Sequence, residues 1–296
     1  VRRILLIANP AAARTRKDVT GTVLAVLERE GCSVELAVTT GHGDAARVAR
    51  AGARDDVDAV AVYGGDGTVM QAVAGIVGHE IPVGLIPGGT GNLLARNLGL
   101  PRDPAAAARV VAAGRPRTID LGQFDNHSGS QYFSVACGTG FDAELMAGTS
   151  GKAKRRWGFA AYLVRGYLLA RHAAPVPYRL TVDGESFDVE ATSIVVANCG
   201  KFIPPLLGLA PGIAPDDGQL DVVVLKAKGV VQAANVIWKM FTRRVDGRAV
   251  RSFRGREVTV EAQPKRPVQL DGEVGGETPF TATVIDKGLS VLVPNV

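Results

Sequence analysis

The sequence predicts an α/β N-terminal domain with a mostly parallel sheet, followed by a β-rich C-terminal domain folded as an antiparallel sandwich or barrel. Three observations predict this. Up to about Arg117, short apolar runs of strand length alternate with segments of helical spacing. From Thr118 onward the apolar pattern is mainly period two. The 36 glycines cluster at the ends of short apolar runs, as tight strand-to-helix turns require. A length of 296 residues suits two domains, and 46% hydrophobic content supplies a core for each. The boundaries predicted are 1–120 for the first domain, open to completion by 284–296, and 121–283 for the second.

Element by element, residues 3–8 form a first strand, and 17–30 a helix with Val19, Val23, Val26 and Leu27 on one face. A strand over 34–38 precedes a helix from Asp44, read as its N-cap, to Ala53. A third strand, 59–63, runs into Gly64-Gly65-Asp66-Gly67-Thr68 and a helix to Val77. A fourth, 82–86, runs into Pro87-Gly88-Gly89-Thr90-Gly91-Asn92, then helices over 93–98 and 104–113. The second domain is predicted to hold strands at 131–136, 178–182, 187–197, 220–225, 257–262 and 268–270. Helices are expected at 158–171 and 230–243. Asp183-Gly184 between two strands is a strong hairpin signal, and the run 289–293 could join either domain.

Several function classes find no support. Cys32, Cys137 and Cys199 are odd in number and far apart, so they predict neither disulfides nor zinc and favour a cytoplasmic home. The apolar part of VRRILLIANP is short for a signal peptide, and no run reaches transmembrane length. His42, His79, His127 and His172 are isolated, and no GxSxG elbow occurs. Aromatics are only 5% and do not interleave with basic residues, so no nucleic acid partner is expected. A net charge of +5 suits nucleotide phosphates or an acidic membrane surface, and equally suits ordinary solubility.

The chemistry concentrates in the two glycine loops. A strand delivering glycines to a helix N-terminus exposes N–H groups to an anion. Neither loop ends in GK[ST], and neither matches the dinucleotide fingerprint. One such loop is a weak signal, but two on neighbouring strands converge at the sheet's carboxyl edge, where ligands bind. Asp66 is the right group to hold Mg²⁺ against phosphates; it is equally suited to capping a helix.

The segments VYGGDGTVMQ (62–71) and PGGTGNLLAR (87–96) resemble the diacylglycerol kinase catalytic domain. That family includes bacterial soluble lipid kinases and the sphingosine and ceramide kinases. Its nucleotide-binding half is similar to NAD kinases and phosphofructokinases. The resemblance continues through Asn9-Pro10, Thr39 with Gly43-Asp44-Ala45, Ile119-Asp120 and Gly138-x-Gly140-Phe141-Asp142. It resumes at Ala210-Pro211, Asp216-Asp217-Gly218-x-Leu220-Asp221 and Leu270-Asp271-Gly272-Glu273.

The resemblance implies an ATP-dependent lipid kinase using Mg²⁺, with ATP held by Asn9, Thr39, Gly65, Asp66, Gly67, Thr68, Gln71, Thr90 and Asn92. It implies a structural Mg²⁺ on Asp217 and the carbonyls near Ala214 and Gln219. It makes Glu273 the base that deprotonates the lipid hydroxyl, with Asp66 managing phosphate charge. Turn chemistry alone does not distinguish Glu273 from Glu185, since Asp183-Gly184-Glu185 repeats the same tripeptide. Two positions depart from the family: Gln71 stands where many members have glutamate, and Leu93 where several have aspartate.

A lipid kinase with no membrane span either meets its substrate at the interface or extracts it, so the expectation is a cytoplasmic protein open to peripheral contact with the inner membrane face. The basic run Lys152-Ala153-Lys154-Arg155-Arg156-Trp157 before an apolar stretch suits an anionic headgroup layer, or else merely starts a core helix. The resemblance brings Lys152 or Lys154 towards the active site. The competing readings are a nucleotide- or lipid-binding regulator with weak turnover and a kinase of a soluble substrate such as NAD. No signal for an oligomeric state is present.

Overall fold

The computed structural model describes residues 1–12, 15, 17–53, 57–140, 174–203, 207–208, 212–229, 231–232, 235, 238 and 250–295. The helix predicted over 158–171, the basic run with Lys152 and Lys154, Phe141-Asp142 and Ala210-Pro211 lie outside them, as does most of 230–243. The chain divides into two compact units: Val1–Ile119 with Lys287–Val296, and Asp120–Asp286.

The first unit runs β1 (Arg3–Ala8), α1 (Lys17–Arg29), β2 (Ser33–Val38), α2 (Asp44–Gly52), β3 (Ala59–Gly64), α3 (Asp66–Ile76), β4 (Val83–Pro87), α4 (Leu93–Asn97) and α5 (Pro104–Ala113). Its strands pair in parallel in the order β2-β1-β3-β4. The end of the long strand β18 (Phe280–Val293) joins beside β4, also in parallel, at Val291 and Val83. β3 and β4 are buried along their whole length, and β1 from its second residue on, as strands covered on both faces must be. β2 is the edge and is largely exposed.

Period-two alternation assigns the two faces. Ile4 and Leu6 pack with Val23 and Leu27 of α1 and with Ala107, Ala108 and Val111 of α5. Leu5, between them, points the other way and meets α2, where a Cβ on Gly52 would lie 2.3 Å from its side chain. Each large apolar side chain buried here contributes about 1.5–3 kcal/mol. Asp103 caps α5 by accepting from the Ala106 N–H at 2.8 Å, with Pro104 in the first turn. On the opposite face α2 and α3 pack through small residues, including Ala45, Ala49, Ala72 and Gly75.

The second unit is a two-sheet antiparallel sandwich. One sheet runs β18-β15-β8-β9, where β15 is Glu257–Ala262, β8 Val176–Val182 and β9 Glu185–Ala191; β5 (Arg115–Asn126) pairs with β18 and with β6 (Gly129–Phe133). The other runs β14-β13-β10-β7-β16-β17: Val250–Gly255, Leu220–Leu225, Ser193–Ala197, Ala136–Gly140, Pro267–Leu270 and Glu273–Glu277. A short ribbon joins β11 (Lys201–Ile203) to β12 (Leu207–Gly208). Between the two larger sheets lie Phe124, Phe133, Leu180, Ile194, Val222, Val258 and Phe280, with the Phe124 and Phe280 ring centroids 5.1 Å apart.

Two predicted strands prove to be two each. Residues 131–136 break at Ser134-Val135, between β6 in one sheet and β7 in the other. Residues 187–197 break at Thr192, whose hydroxyl donates to the Ala227 carbonyl at 2.7 Å, and the chain there crosses from β9 to β10. The pattern changes at that point, from alternating burial in β9 to continuous burial in β10. Strands β5, β14 and β17 carry too few adjacent apolar residues to have been predicted.

The α2–α3 contact gives a direct test of packing. A Cβ on Gly75 would lie 2.4 Å from the Ala46 carbonyl oxygen, which is backbone and cannot rotate away. Gly75→Ala is expected to cost about 1–3 kcal/mol despite the better helix propensity of alanine, read from urea denaturation midpoints.

Candidate functional site

In the first unit the ends of β2, β1, β3 and β4 lie side by side, so Thr39, Asn9, the 64–68 loop and the 87–92 loop form a row along the carboxyl edge. The order reverses between β1 and β3, the place where open α/β sheets accept ligands. Asn9 bridges that junction. Its N–H donates to the Tyr63 carbonyl at 3.0 Å, and its Nδ2 donates to Thr68 Oγ1 at 2.7 Å. Thr39 continues the row: its N–H donates to the Ala8 carbonyl at 2.9 Å, and its side chain is buried.

The two glycine loops touch backbone to backbone. A Cβ on Gly89 would stand 2.7 Å from the Gly65 Cα, and one on Gly88 would stand 2.4 Å from Thr15 Oγ1. The Gly88 N–H donates to the Gly64 carbonyl at 2.8 Å. Asn92 closes the second loop on itself in a left-handed conformation (φ 48°), its Oδ1 accepting from the Gly89 N–H and its Nδ2 donating to the Gly89 carbonyl, each at 2.9 Å. Thr90 is exposed, and its carbonyl accepts a long 3.5 Å bond from Arg96.

Asp66 joins these loops. It is the first residue of α3, whose N-cap is Gly65. Its Oδ1 accepts a short hydrogen bond from the Leu93 N–H, at the start of α4, and its Oδ2 lies where a Cβ on Gly91 would be only 2.6 Å away. The capping role open to Asp66 from sequence is therefore exercised, but on a different helix. Asp44 likewise differs from expectation, because Gly43 (φ 85°) is the N-cap of α2. The Asp44 carboxylate turns back onto the preceding turn. There the Thr40 hydroxyl and N–H, with Arg47 and Gly41, hold it well below the usual carboxylate range.

Gln71 reaches from α3 to that same turn. Its Oε1 accepts from the Gly43 N–H at 2.9 Å, and its amide nitrogen lies 3.2 Å from His42 Nδ1. Thr15 was not singled out from sequence. Its hydroxyl is buried against Gly88 with no hydrogen-bond partner among the described residues.

In the second unit a buried polar chain runs from the Asp217 loop to the Glu273 turn. Asp120, fully buried, accepts from the Gly218 N–H at 2.7 Å, and its own N–H donates to the Pro215 carbonyl at 2.6 Å. Asn198 Nδ2 donates to the carbonyls of Asp120 and Ser134 at 2.8 and 2.9 Å. Ser134, Val135 and Ala136 then donate to the Asp271 carboxylate. Burial pushes the Asp271 carboxyl above its usual range, against the pull of those donors. Glu273, two residues on, is exposed. Asp217 is engaged only loosely: its Oδ1 accepts from the Gln219 N–H at 3.2 Å and its Oδ2 lies 3.3 Å from Arg254. Arg254 directs its fork at Asp221 instead, with two contacts of 3.1 Å.

Comparison with known proteins finds two family matches along the chain. Residues 3–124 match the family described as diacylglycerol kinase catalytic domain, and residues 135–293 match the YegS C-terminal NAD kinase beta sandwich-like domain. A diacylglycerol kinase of Bacillus subtilis (strain 168) is 30% identical over 302 residues, covering 99% of this chain and 97% of that one. The chain belongs to the diacylglycerol kinase family.

An uncharacterized protein of Synechocystis is 28% identical over 78% of this chain, which spans 54% of that relative's length. A solved Bacillus anthracis structure superimposes with a TM-score of 0.82 at 23% identity, covering 99% of this chain and 95% of that one. That likeness bears on the fold alone. The first family match contains Asn9, Thr39, Asp66, Thr68, Gln71, Thr90 and Asn92; the second contains Ala214, Asp217, Gln219 and Glu273. Asn198 and Ser134 escaped the sequence reading because no motif marks them and their partners lie far away in the chain.

Removing the Asp66 carboxylate leaves the first N–H of α4 without its acceptor. Asp66→Ala is expected to lower stability by about 1–2 kcal/mol in the absence of any nucleotide, measured by thermal or urea unfolding.

Proposed function

We propose that this protein is an ATP-dependent lipid kinase that transfers the γ-phosphoryl group to a hydroxyl of diacylglycerol or a closely related lipid. The observation that carries the reading is the meeting of the two glycine loops under the Asp66 carboxylate in a chain of the diacylglycerol kinase family. Backbones that approach this closely, at the carboxyl ends of adjacent parallel strands, present N–H groups and helix N-termini to an anion.

In this reading Gly65, Gly67 and Thr68 receive the ATP phosphates. Asn9 orients the Thr68 hydroxyl by donating to it, and Thr39, Gln71, Thr90 and Asn92 shape the surrounding row. Asp66, negative like the phosphates, would hold a Mg²⁺ against them. Glu273 accepts the proton from the lipid hydroxyl as its oxygen attacks the γ-phosphorus. The bond to the β-phosphate oxygen breaks, and ADP leaves with the electron pair.

The 214–219 loop suits a hard divalent cation. The Asp217 carboxylate keeps lone pairs beyond its two long contacts, and hard cations take oxygen ligands. Asp217 with the carbonyls of Ala214 and Gln219 would hold Mg²⁺, which supplies positive charge that stiffens this loop.

Among the described residues no helix is long and apolar enough to cross a membrane. The lipid is therefore proposed to be met at an acidic membrane surface, through the basic run 152–157. In flotation assays, vesicles containing about 30% phosphatidylglycerol are expected to retain the protein and neutral vesicles to release it.

Transfer of label from ATP to diacylglycerol in mixed micelles tests the activity itself. Wild type is expected to label the lipid, and Glu273→Ala to lose about a hundredfold or more in kcat while still binding ATP. Absence of labelling in wild type, with ATP bound, would replace the kinase reading by that of a nucleotide-binding regulator.

A further inference from the structure

We infer that Asp271 is a positioning residue for Glu273: its buried carboxylate fixes the turn that aims the exposed base. The inference rests on the reading of Glu273 given above and goes beyond it, since it assigns a role to a residue that touches no substrate.

The turn between β16 and β17 has positive φ at both central residues, 47° at Asp271 and 88° at Gly272. These are type I′ conformations, for which Asp-Gly and Asn-Gly are both well suited. An Asp-Gly pair is therefore expected here whether or not the turn has a function. The same tripeptide occurs at Asp183-Gly184-Glu185, with φ of 47° and 86°, in the hairpin between β8 and β9. Backbone conformation does not separate the two turns.

Their carboxylates do. Asp183 is exposed and accepts two backbone N–H groups, from Arg256 and Glu257, both through Oδ1 at 2.8 Å. Asp271 is 5% exposed and uses both oxygens. Oδ2 accepts from the Ser134 N–H at 2.8 Å and the Ser134 hydroxyl at 2.9 Å; Oδ1 accepts from Val135 and Ala136 N–H groups, each at 2.9 Å. The Asp271 N–H donates to the Ala136 carbonyl at 2.9 Å, and the Gly272 N–H donates to Gln269 Oε1 at 2.8 Å. The Asp271 carboxylate and the N–H groups of both central turn residues are thus tied to fixed partners just before Glu273.

Those partners are themselves held. Asn198 Nδ2 donates to the Ser134 carbonyl, and the Asn198 and Cys199 N–H groups donate to the Val135 carbonyl at 2.8 and 3.0 Å. Glu273 begins an edge strand whose next residue, Val274, is 59% exposed. With so little packing around it, its position derives from the anchored turn behind it. Misplacing a base by about 1 Å can cost a hundredfold in rate, so such an anchor has catalytic weight.

Asparagine separates turn chemistry from anchoring. At 183 an amide oxygen still accepts both N–H groups, so the Asp183→Asn turn survives unchanged. At 271 asparagine keeps the turn propensity, but its Nδ2 would face N–H or O–H donors where an acceptor is needed.

The test is a double-mutant cycle on full-length protein, assayed with labelled ATP and dioleoylglycerol micelles. Asp271→Asn is expected to lower kcat by about tenfold or more, with KM for ATP changed by less than about twofold. Asp183→Asn is expected to leave both unchanged. In a Glu273→Ala background, Asp271→Asn should alter the residual rate by less than about twofold, because the residue it positions is gone.

An equal drop in both backgrounds would overturn the inference while leaving Glu273 as base. An unchanged rate in Glu273→Ala alone would remove the base assignment and this inference with it. Should Asp271→Asn not fold, Ser134→Ala withdraws one donor and replaces it in the cycle, with a smaller drop of about threefold expected in wild type only. An identical Ser134→Ala loss in the Glu273→Ala background would count against positioning.

Discussion

Where β3 and β4 deliver the chain to the carboxyl edge of the parallel sheet, Gly65 and Gly89 meet so closely that the second admits no side chain. Everything else in the first unit's site follows from this approach. It requires the neighbouring residues to be small or turned away, which Gly64, Gly88 and Gly91 are. It brings the start of α3 beside the start of α4, and neither helix has a side-chain cap from its own N-cap residue. Concentrated donors need a negative partner. In the protein itself Asp66 supplies part of it, on the Leu93 N–H, and the remainder is what an anionic ligand would satisfy.

A similar economy governs the second unit. Asp120, Asn198, Ser134 and Asp271 are all buried, and a buried polar group without a partner costs about 1–3 kcal/mol. Here their hydrogen bonds are spent on loops, tying 215–218 to β5 and 134–136 to the β16–β17 turn. Such networks specify one arrangement of the backbone more than they add stability.

The parallel half of the fold was legible because its signals are local. Apolar runs, helical spacing and glycine turns follow one another with few interruptions, and the predicted strands 3–8, 34–38 and 59–63 agree with β1, β2 and β3 within a residue. The sandwich was legible as a class, while its sheet changes were not. Ser134-Val135 and Thr192 look like interior strand residues, and only tertiary partners, Asp271 for the first and Ala227 for the second, make them corners. The same limit applies to the site. Asp66 and the glycines stand in recognisable loops, whereas Asn198 acquires meaning only beside Ser134, 64 residues away in the chain.

The two departures from the family can be weighed against these contacts. At 93 the group in use is the backbone N–H, which any residue but proline would donate to Asp66, so leucine does not weaken that link. At 71 the side chain matters, since its oxygen accepts from Gly43 and its nitrogen faces His42. A glutamate there could keep the Gly43 bond, but would meet the imidazole with a second acceptor and so require it to carry its proton on Nδ1. Glutamine removes that requirement and one negative charge from the edge where phosphates are proposed to bind. The substitution therefore trades a charge for a neutral clamp between α3 and the turn before α2, and it leaves the loops' own geometry, set by Gly65 and Gly89, as it was.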